Sequence, residues 1–150
     1  MIALRITNIK NFMALLFTGT AFDNFLLVEG DINTSINWHL DGKVNMSFYS
    51  EEELEQLKIE EFQTWGITKP IVTQIIKGKK LPVSMKFVLK KAGAGDMTYL
   101  LNIRFDNNNL ILITGISHAV FTLDKTGEKE WDDNMCGFLK RNAIDFEVME

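Results

Sequence analysis

Apolar and polar positions alternate most cleanly between Met97 and Phe105. Tyr99, Leu101, Ile103 and Phe105 fall on one side of a two-residue period, and Leu100, Asn102 and Arg104 on the other. Asp106, Asn107, Asn108 and Asn109 follow, residues that tolerate left-handed backbone angles and cap their own turns, so a short hairpin loop is predicted there. The returning run Leu110 to Ile113 is apolar on both sides. That composition predicts a strand inside a sheet, with neighbours on each side and layers above and below.

The rest of the chain reads outward from that hairpin. Ile2, Leu4 and Ile6 predict a short first strand, after which Thr7 or Asn8 can cap a helix whose apolar face is Ile9, Phe12, Met13, Leu16 and Phe17, ended by Gly19. Three short strands are expected next: Phe25 to Asp31, Asn37 to Leu40 before the Asp41-Gly42 turn, and Val44 to Phe48. Ser50 with Glu53 matches a capping box, opening an acidic helix with Leu54, Leu57, Phe62 and Trp65 on one edge and a stop near Gly66; residues from about Phe62 to Ile67 fit an extended chain as an alternative. Thr68 is expected to cap a further helix with Pro70 in its first turn, facing Ile71, Val72, Ile75 and Ile76 inward as far as Gly78. Strands are expected at Val83 to Leu89 and, beyond the central hairpin, at Ala119 to Leu123. The last helix, about Lys129 to Arg141, buries Trp131, Met135, Phe138 and Leu139, and Ile144, Phe146 and Val148 close the chain as an edge strand.

Two stretches of this order are alike. Ile6-Thr7 precedes a helix ending at Gly19, Ile67-Thr68 precedes one ending at Gly78, and three strand patterns follow each. A strand, helix, three-strand unit is thus read twice, about 60 residues apart. The fold class expected is α+β, a mostly antiparallel sheet with helices packed on it, built from duplicated β-α-β-β-β units plus a C-terminal helix and strand.

That order resembles a single domain of the DNA sliding clamps, over roughly residues 1 to 115. The resemblance implies a ring lined by basic helices, to which Lys69 and Lys77 on the second helix correspond and Lys10 alone on the first; one such domain would need a symmetric oligomer to close a ring. At the level of residues the chain is similar to an uncharacterised family of small proteins from anaerobic Gram-positive bacteria. The likeness rests on Met1-Ile2-Ala3-Leu4 with Ile6, Phe12-Met13, the run from Phe22 to Gly30, and Asp41-Gly42 before Phe48-Tyr49. It implies a cytoplasmic bacterial protein and transfers no catalytic residue.

Composition narrows the class. With 150 residues, 46% of them apolar and 11% aromatic, the chain is one domain long, and a domain of that size buries roughly 70% of its unfolded-chain surface. Cys136 is the only cysteine, so an intrachain disulfide is impossible and a reducing, cytoplasmic setting is expected. Beside Met135 and Phe138 it reads as a small core residue. The first residues show no basic leader with an apolar run, and no apolar run reaches the roughly 20 residues that span a bilayer, so a soluble protein with no membrane partner is expected.

The net charge of -4 argues against a general polyanion binder, but its distribution is uneven. No acidic residue falls between Glu61 and Asp96, where Lys69, Lys77, Lys79, Lys80, Lys86, Lys90 and Lys91 all lie. Acid gathers at Glu51, Glu52, Glu53, Glu55, Glu60 and Glu61, and again at Glu128, Glu130, Asp132 and Asp133. Segregation of this kind predicts one basic face. Lys86 and Lys90 lie an even number apart on one strand and so share a side. Lysines without arginine or exposed aromatics grip phosphates rather than read bases; the plainer reading is that they solvate their face and balance the acidic helix.

Motifs for catalysis are missing. His39 and His118 are the only near-neutral acid or base groups, and a shared cleft with Asp41 or Asp124 would be needed to make a metal or acid/base site of them. Asp132 and Asp133 are helix neighbours pointing about 100° apart, which suits first-turn charges better than a carboxylate pair. Ala92-Gly93-Ala94-Gly95 lacks the helix start and lysine-serine pair of a phosphate loop and reads as a hairpin connection. No catalytic, cofactor or metal residue is therefore assigned. The function expected is a non-enzymatic interaction module with nucleic acid or a protein as partner, nucleic acid or another anion being gripped through Lys69, Lys77, Lys79, Lys80, Lys86 and Lys90. The alternatives are a small enzyme using His39 or His118, and a self-assembling homo-oligomer joined through the final strand or Trp38.

Overall fold

The structure, a computed structural model, describes residues 1–120 and 122–149. In chain order the elements are β1 (Ala3–Ile6), α1 (Ile9–Phe17), β2 (Leu26–Asn33), β3 (Asn37–Asp41), a 3₁₀ turn (Met46–Phe48), α2 (Glu51–Leu57), α3 (Trp65–Ile76), β4 (Ser84–Ala92), β5 (Met97–Asp106), β6 (Asn109–His118), α4 (Thr126–Arg141) and β7 (Phe146–Met149). Seven strands make one sheet in the order β3-β2-β4-β5-β6-β1-β7. Every neighbouring pair is antiparallel. The class is α+β, with helices packed on the sheet.

The hairpin of β5 and β6 lies at its centre. Asn107 and Asn108 take φ of 50° and 61°, the two left-handed positions of a tight primed turn, and Asp106 pairs with Asn109 across it. Rows of paired residues then run straight across the strands. Ile32, Met85, Phe105, Leu110 and Ile6 form one such row, and Gly30, Phe87, Ile103, Leu112 and Leu4 the next, each on the side that is buried. A bulge between Leu27 and Glu29 keeps β2 in step, so that Leu27, Gly30 and Ile32 all face the core despite their odd spacing.

Onto that side pack α1 through Phe12 and Leu16, α3 through Trp65 and Val72, and α4 through Trp131, Met135 and Leu139. The two buried tryptophans are tied by their ring nitrogens, Trp65 donating to the Leu16 carbonyl at 2.9 Å and Trp131 to that of Leu100 at 3.0 Å. Tyr99 stacks on Trp131 with centroids 4.8 Å apart. Among the described residues no helix packs its buried side chains on the opposite side of the sheet. Ile111 and Ile113 are only half-buried there, which corrects the expectation of layers above and below that strand. Apolar residues on both sides of a central strand here mean one packed side and one open one.

Several boundaries also differ. Val44 to Phe48 is not a strand: Val44 makes one backbone bond, to the Glu61 carbonyl, and Met46–Phe48 then forms the 3₁₀ turn, with Asn45 capping Ser47. The acidic helix ends at Leu57, where Lys58 takes a left-handed φ of 48°, and the chain then runs extended to Thr64, with isolated bridges from Phe62 to Lys43 and from Thr64 to Leu26. Helix α3 starts one turn earlier than expected, with Thr64 as its N-cap, so Thr68 and Pro70 lie inside it and Ile71 is exposed. Helix α4 starts at Thr126 rather than Lys129. No strand forms over Ala119, Val120, Thr122 and Leu123; Phe121 lies outside the described residues. The duplicated units are consequently unequal, since α3 is preceded by a single bridge and α1 is followed by two strands.

Residues 43–62 form an arm in which no side chain is buried. Its base is knotted to the start of β2: Gly42 donates to Val28, Leu27 to Gln63, and Gln63 to Gly42. Glycine is required there, because a Cβ at position 42 would sit 1.7 Å from the Leu27 carbonyl oxygen.

Candidate functional site

The lysines singled out by the sequence fall into three places. Lys69 is spent on structure: 15% exposed, it donates to the Gly19 carbonyl at 2.7 Å and to the Asp23 carboxylate at 2.6 Å, clamping the end of α1 to α3. Lys86 and Lys90 project from β4 onto the open side of the sheet. Lys86 stands 3.9 Å from Glu29, and the Lys90 ammonium lies 4.0 Å from the centroid of the Phe62 ring. Their surroundings are mixed, since Asp31 and Arg104 flank Lys86 in the same row, and Glu29 and Asp41 lie in the next. Lys77, Lys79 and Lys80 sit in the loop between α3 and β4, and all three are exposed. Among the described residues no carboxylate comes within ion-pair distance of them.

Beside that third group opens a groove of about 530 Å³. Ile9, Met13 and Phe17 of α1 form one wall, Ile76 with Leu81 and Pro82 the other, and Met85 and Phe105 the floor; Lys10 stands at the rim. Helical spacing explains the first wall, since positions 9, 13 and 17 recur at four-residue intervals on one face. The second wall has a different cause. Gly78 and the lysines end α3, and Pro82 is buried, which leaves Leu81 on the outside at 78% exposure. Asn108 adds one amide to a lining that is mostly carbon and thioether, with two flexible methionines able to follow the shape of an occupant. Lys10 is the one lysine that lines the groove itself, while the exposed Lys77, Lys79 and Lys80 directly precede the Leu81 wall in the chain.

The histidines are not brought together. His39 is on β3 and His118 at the end of β6, with β2, β4 and β5 between them, about 19 Å or more at about 4.8 Å per strand step. The His39 Nδ1 lies 2.7 Å from Asp31 Oδ1, and that hydrogen bond, together with the carboxylate's charge, holds the imidazole above its ordinary pKa. The ring is exposed, on the sheet edge. His118 Nδ1 is 4.0 Å from Asp96 and shares a surface hollow with Thr122 and Asp124, whose carboxylate is held below its usual range by the hydroxyl and amide of Thr126. Asp41 is remote from it, capping the Lys43 amide in the turn after β3. Among the described residues no three His, Cys, Asp or Glu groups are placed to hold a metal. Cys136 is half-buried on α4, and burial pushes its thiol pKa up. Asp132 accepts from the Thr114 hydroxyl and Asp133 is exposed, but because α4 starts at Thr126 neither is a first-turn charge, a place that Glu128 takes.

Sequence reasoning placed most groove residues in the core and missed that their outer edges stay uncovered. One signal was available: Leu81-Pro82-Val83 is an apolar run directly behind unpaired lysines, with no period to bury all of it.

The family of unknown function DUF5721 matches residues 15–95 and 91–147, nearly the whole chain, and the chain belongs to that family. No curated protein and no solved structure matches it. Among the described residues no helix is long and apolar enough to cross a membrane.

Proposed function

We propose that this DUF5721 protein is an interaction module whose working surface is the groove between α1 and the α3–β4 loop, and that its partner is an acidic amphipathic protein segment. One observation carries the reading: an apolar slot with Lys10 at its rim is walled by Leu81, directly after three exposed lysines that have no ion-pair partner among the described residues. Apolar burial supplies affinity at about 25 cal/mol per Å², and the lysines select for negative charge and speed encounter. Nucleic acid fits this surface less well. Phosphates would use Lys77, Lys79 and Lys80 but leave the slot empty, and the remaining sequence-predicted lysines face elsewhere.

The test uses the methyl groups already in the slot. With protein labelled at the methionine ε-methyl positions, a model peptide of alternating glutamate and leucine at helical spacing should shift the Met13 and Met85 resonances. A matched peptide with lysine for glutamate should not, and added salt should weaken the response. Unmoved methyl resonances at millimolar acidic peptide would remove the reading. Salt-dependent binding of duplex DNA, lost when Lys77, Lys79 and Lys80 are changed to glutamate, would replace it with the phosphate-gripping alternative.

A further inference from the structure

Resting on that reading of the groove, we propose that its occupant is the 43–62 arm of a second copy of this chain, so that the protein assembles head to tail.

The arm matches the groove in charge and in apolar content. Six glutamates against two lysines lie between Lys43 and Phe62, so the arm carries the chain's entire net charge of -4, and the remainder is neutral. Three of its large apolar side chains are left outside: Phe48 is 80% exposed, Leu57 61% and Met46 44%. Side chains this exposed gain little for the fold of their own chain. They do suit an element meant to be covered by something else.

The helix in the arm points the same way. With seven residues, α2 has a complete capping box between Ser50 and Glu53 but no buried face. Helices shorter than about 12 residues are marginal in water without packing. Docked in an apolar slot, α2 would acquire the packing it lacks, and its glutamates would meet Lys10, Lys77, Lys79 and Lys80.

Placement makes the contact one between chains. The arm is rooted beside Leu27, whose partner on β4 is Leu89, whereas the groove floor is Met85, about 14 Å further along the strand at about 3.4 Å per residue. No arm residue lines the groove. Donor and acceptor surfaces that are different patches of one molecule form a heterologous interface, which propagates into a ring or a filament.

Complementation tests this. Phe48→Ser with Leu57→Ser disables the arm, and Leu81→Glu disables the groove; all three positions are exposed, so both proteins should fold, as unchanged melting would verify. Sedimentation velocity of the unaltered protein should show mass rising with concentration and falling with salt. Each variant alone should be monomeric. Mixed in equal amounts they retain one intact arm and one intact groove, and should form a discrete species of twice the monomer mass. Three results would overturn the inference: an unaltered protein that stays monomeric at millimolar concentration, assembly that survives in both variants, or variants that fail to complement. Survival in both would assign assembly to another surface, such as the free edge of β7. If acidic peptide still shifts Met13 and Met85 while the protein stays monomeric, the groove reading stands and the partner is a foreign acidic segment.

Discussion

The β5–β6 hairpin and the 43–62 arm are both stretches where adjacent residues dictate local shape, and they end in opposite circumstances. In the hairpin, two asparagines set the turn, and the strands they join lie between β4 and β1, with Leu101, Ile103, Leu110 and Leu112 almost wholly buried. In the arm, Ser50 and Glu53 set the helix start as firmly, yet no residue of that helix is fully buried. Local signals therefore specify conformation equally well in both. Only long-range burial separates an element that stabilises the fold from one carried by it, and an element carried without burial is free to serve a partner.

The sharpest way to break that comparison is a matched pair of truncations. Leu101→Ala removes a fully buried side chain and should cost about 2–5 kcal/mol of unfolding free energy. Leu57→Ala, in the exposed arm, should stay within about 0.5 kcal/mol. Denaturant titration of both checks it, and similar losses would mean that the arm is part of the core.

A smaller effect is expected at the turn. Asn108→Ala places a Cβ without a compensating polar group at φ 61° and should cost about 1 kcal/mol, whereas Asn108→Gly should cost nothing or stabilise. Both are read from denaturation midpoints.

Smallest in global terms is Ser50→Ala. Loss of the cap weakens α2 locally by about 1 kcal/mol, so amide exchange of Glu53 to Leu57 should quicken. Because the arm buries no side chain, global stability should move by no more than about 0.5 kcal/mol. A large drop in global stability would show that arm and sheet unfold as one unit.

What could be read in advance follows the same division. The first strand, the first helix, the central hairpin, the Ser50 cap and the last helix were all legible from period and capping residues, since each depends on neighbours within a few positions. Errors arose where a distant partner decides. Val44 to Phe48 alternates like a strand but has no strand beside it, and Ile71 lies on an apolar helical edge that no other element reaches. The lysines illustrate the limit most plainly, for a run of like charge in sequence became a structural clamp at Lys69, a mixed sheet surface at Lys86 and Lys90, and an unpaired loop at Lys77, Lys79 and Lys80.

By itself, then, the order of residues determined the class, an antiparallel sheet with amphipathic helices, because periods of two and 3.6 are intrinsic to strands and helices and need no partner to be seen. Tertiary structure alone decided that α1, α3 and α4 share one side of the sheet, that the other stays open, and that α1, Pro82 and the ends of β4 and β5 enclose a groove. Those residues lie up to about a hundred positions apart along the chain, and what brings them together is the pairing order of strands, a property that no local pattern encodes.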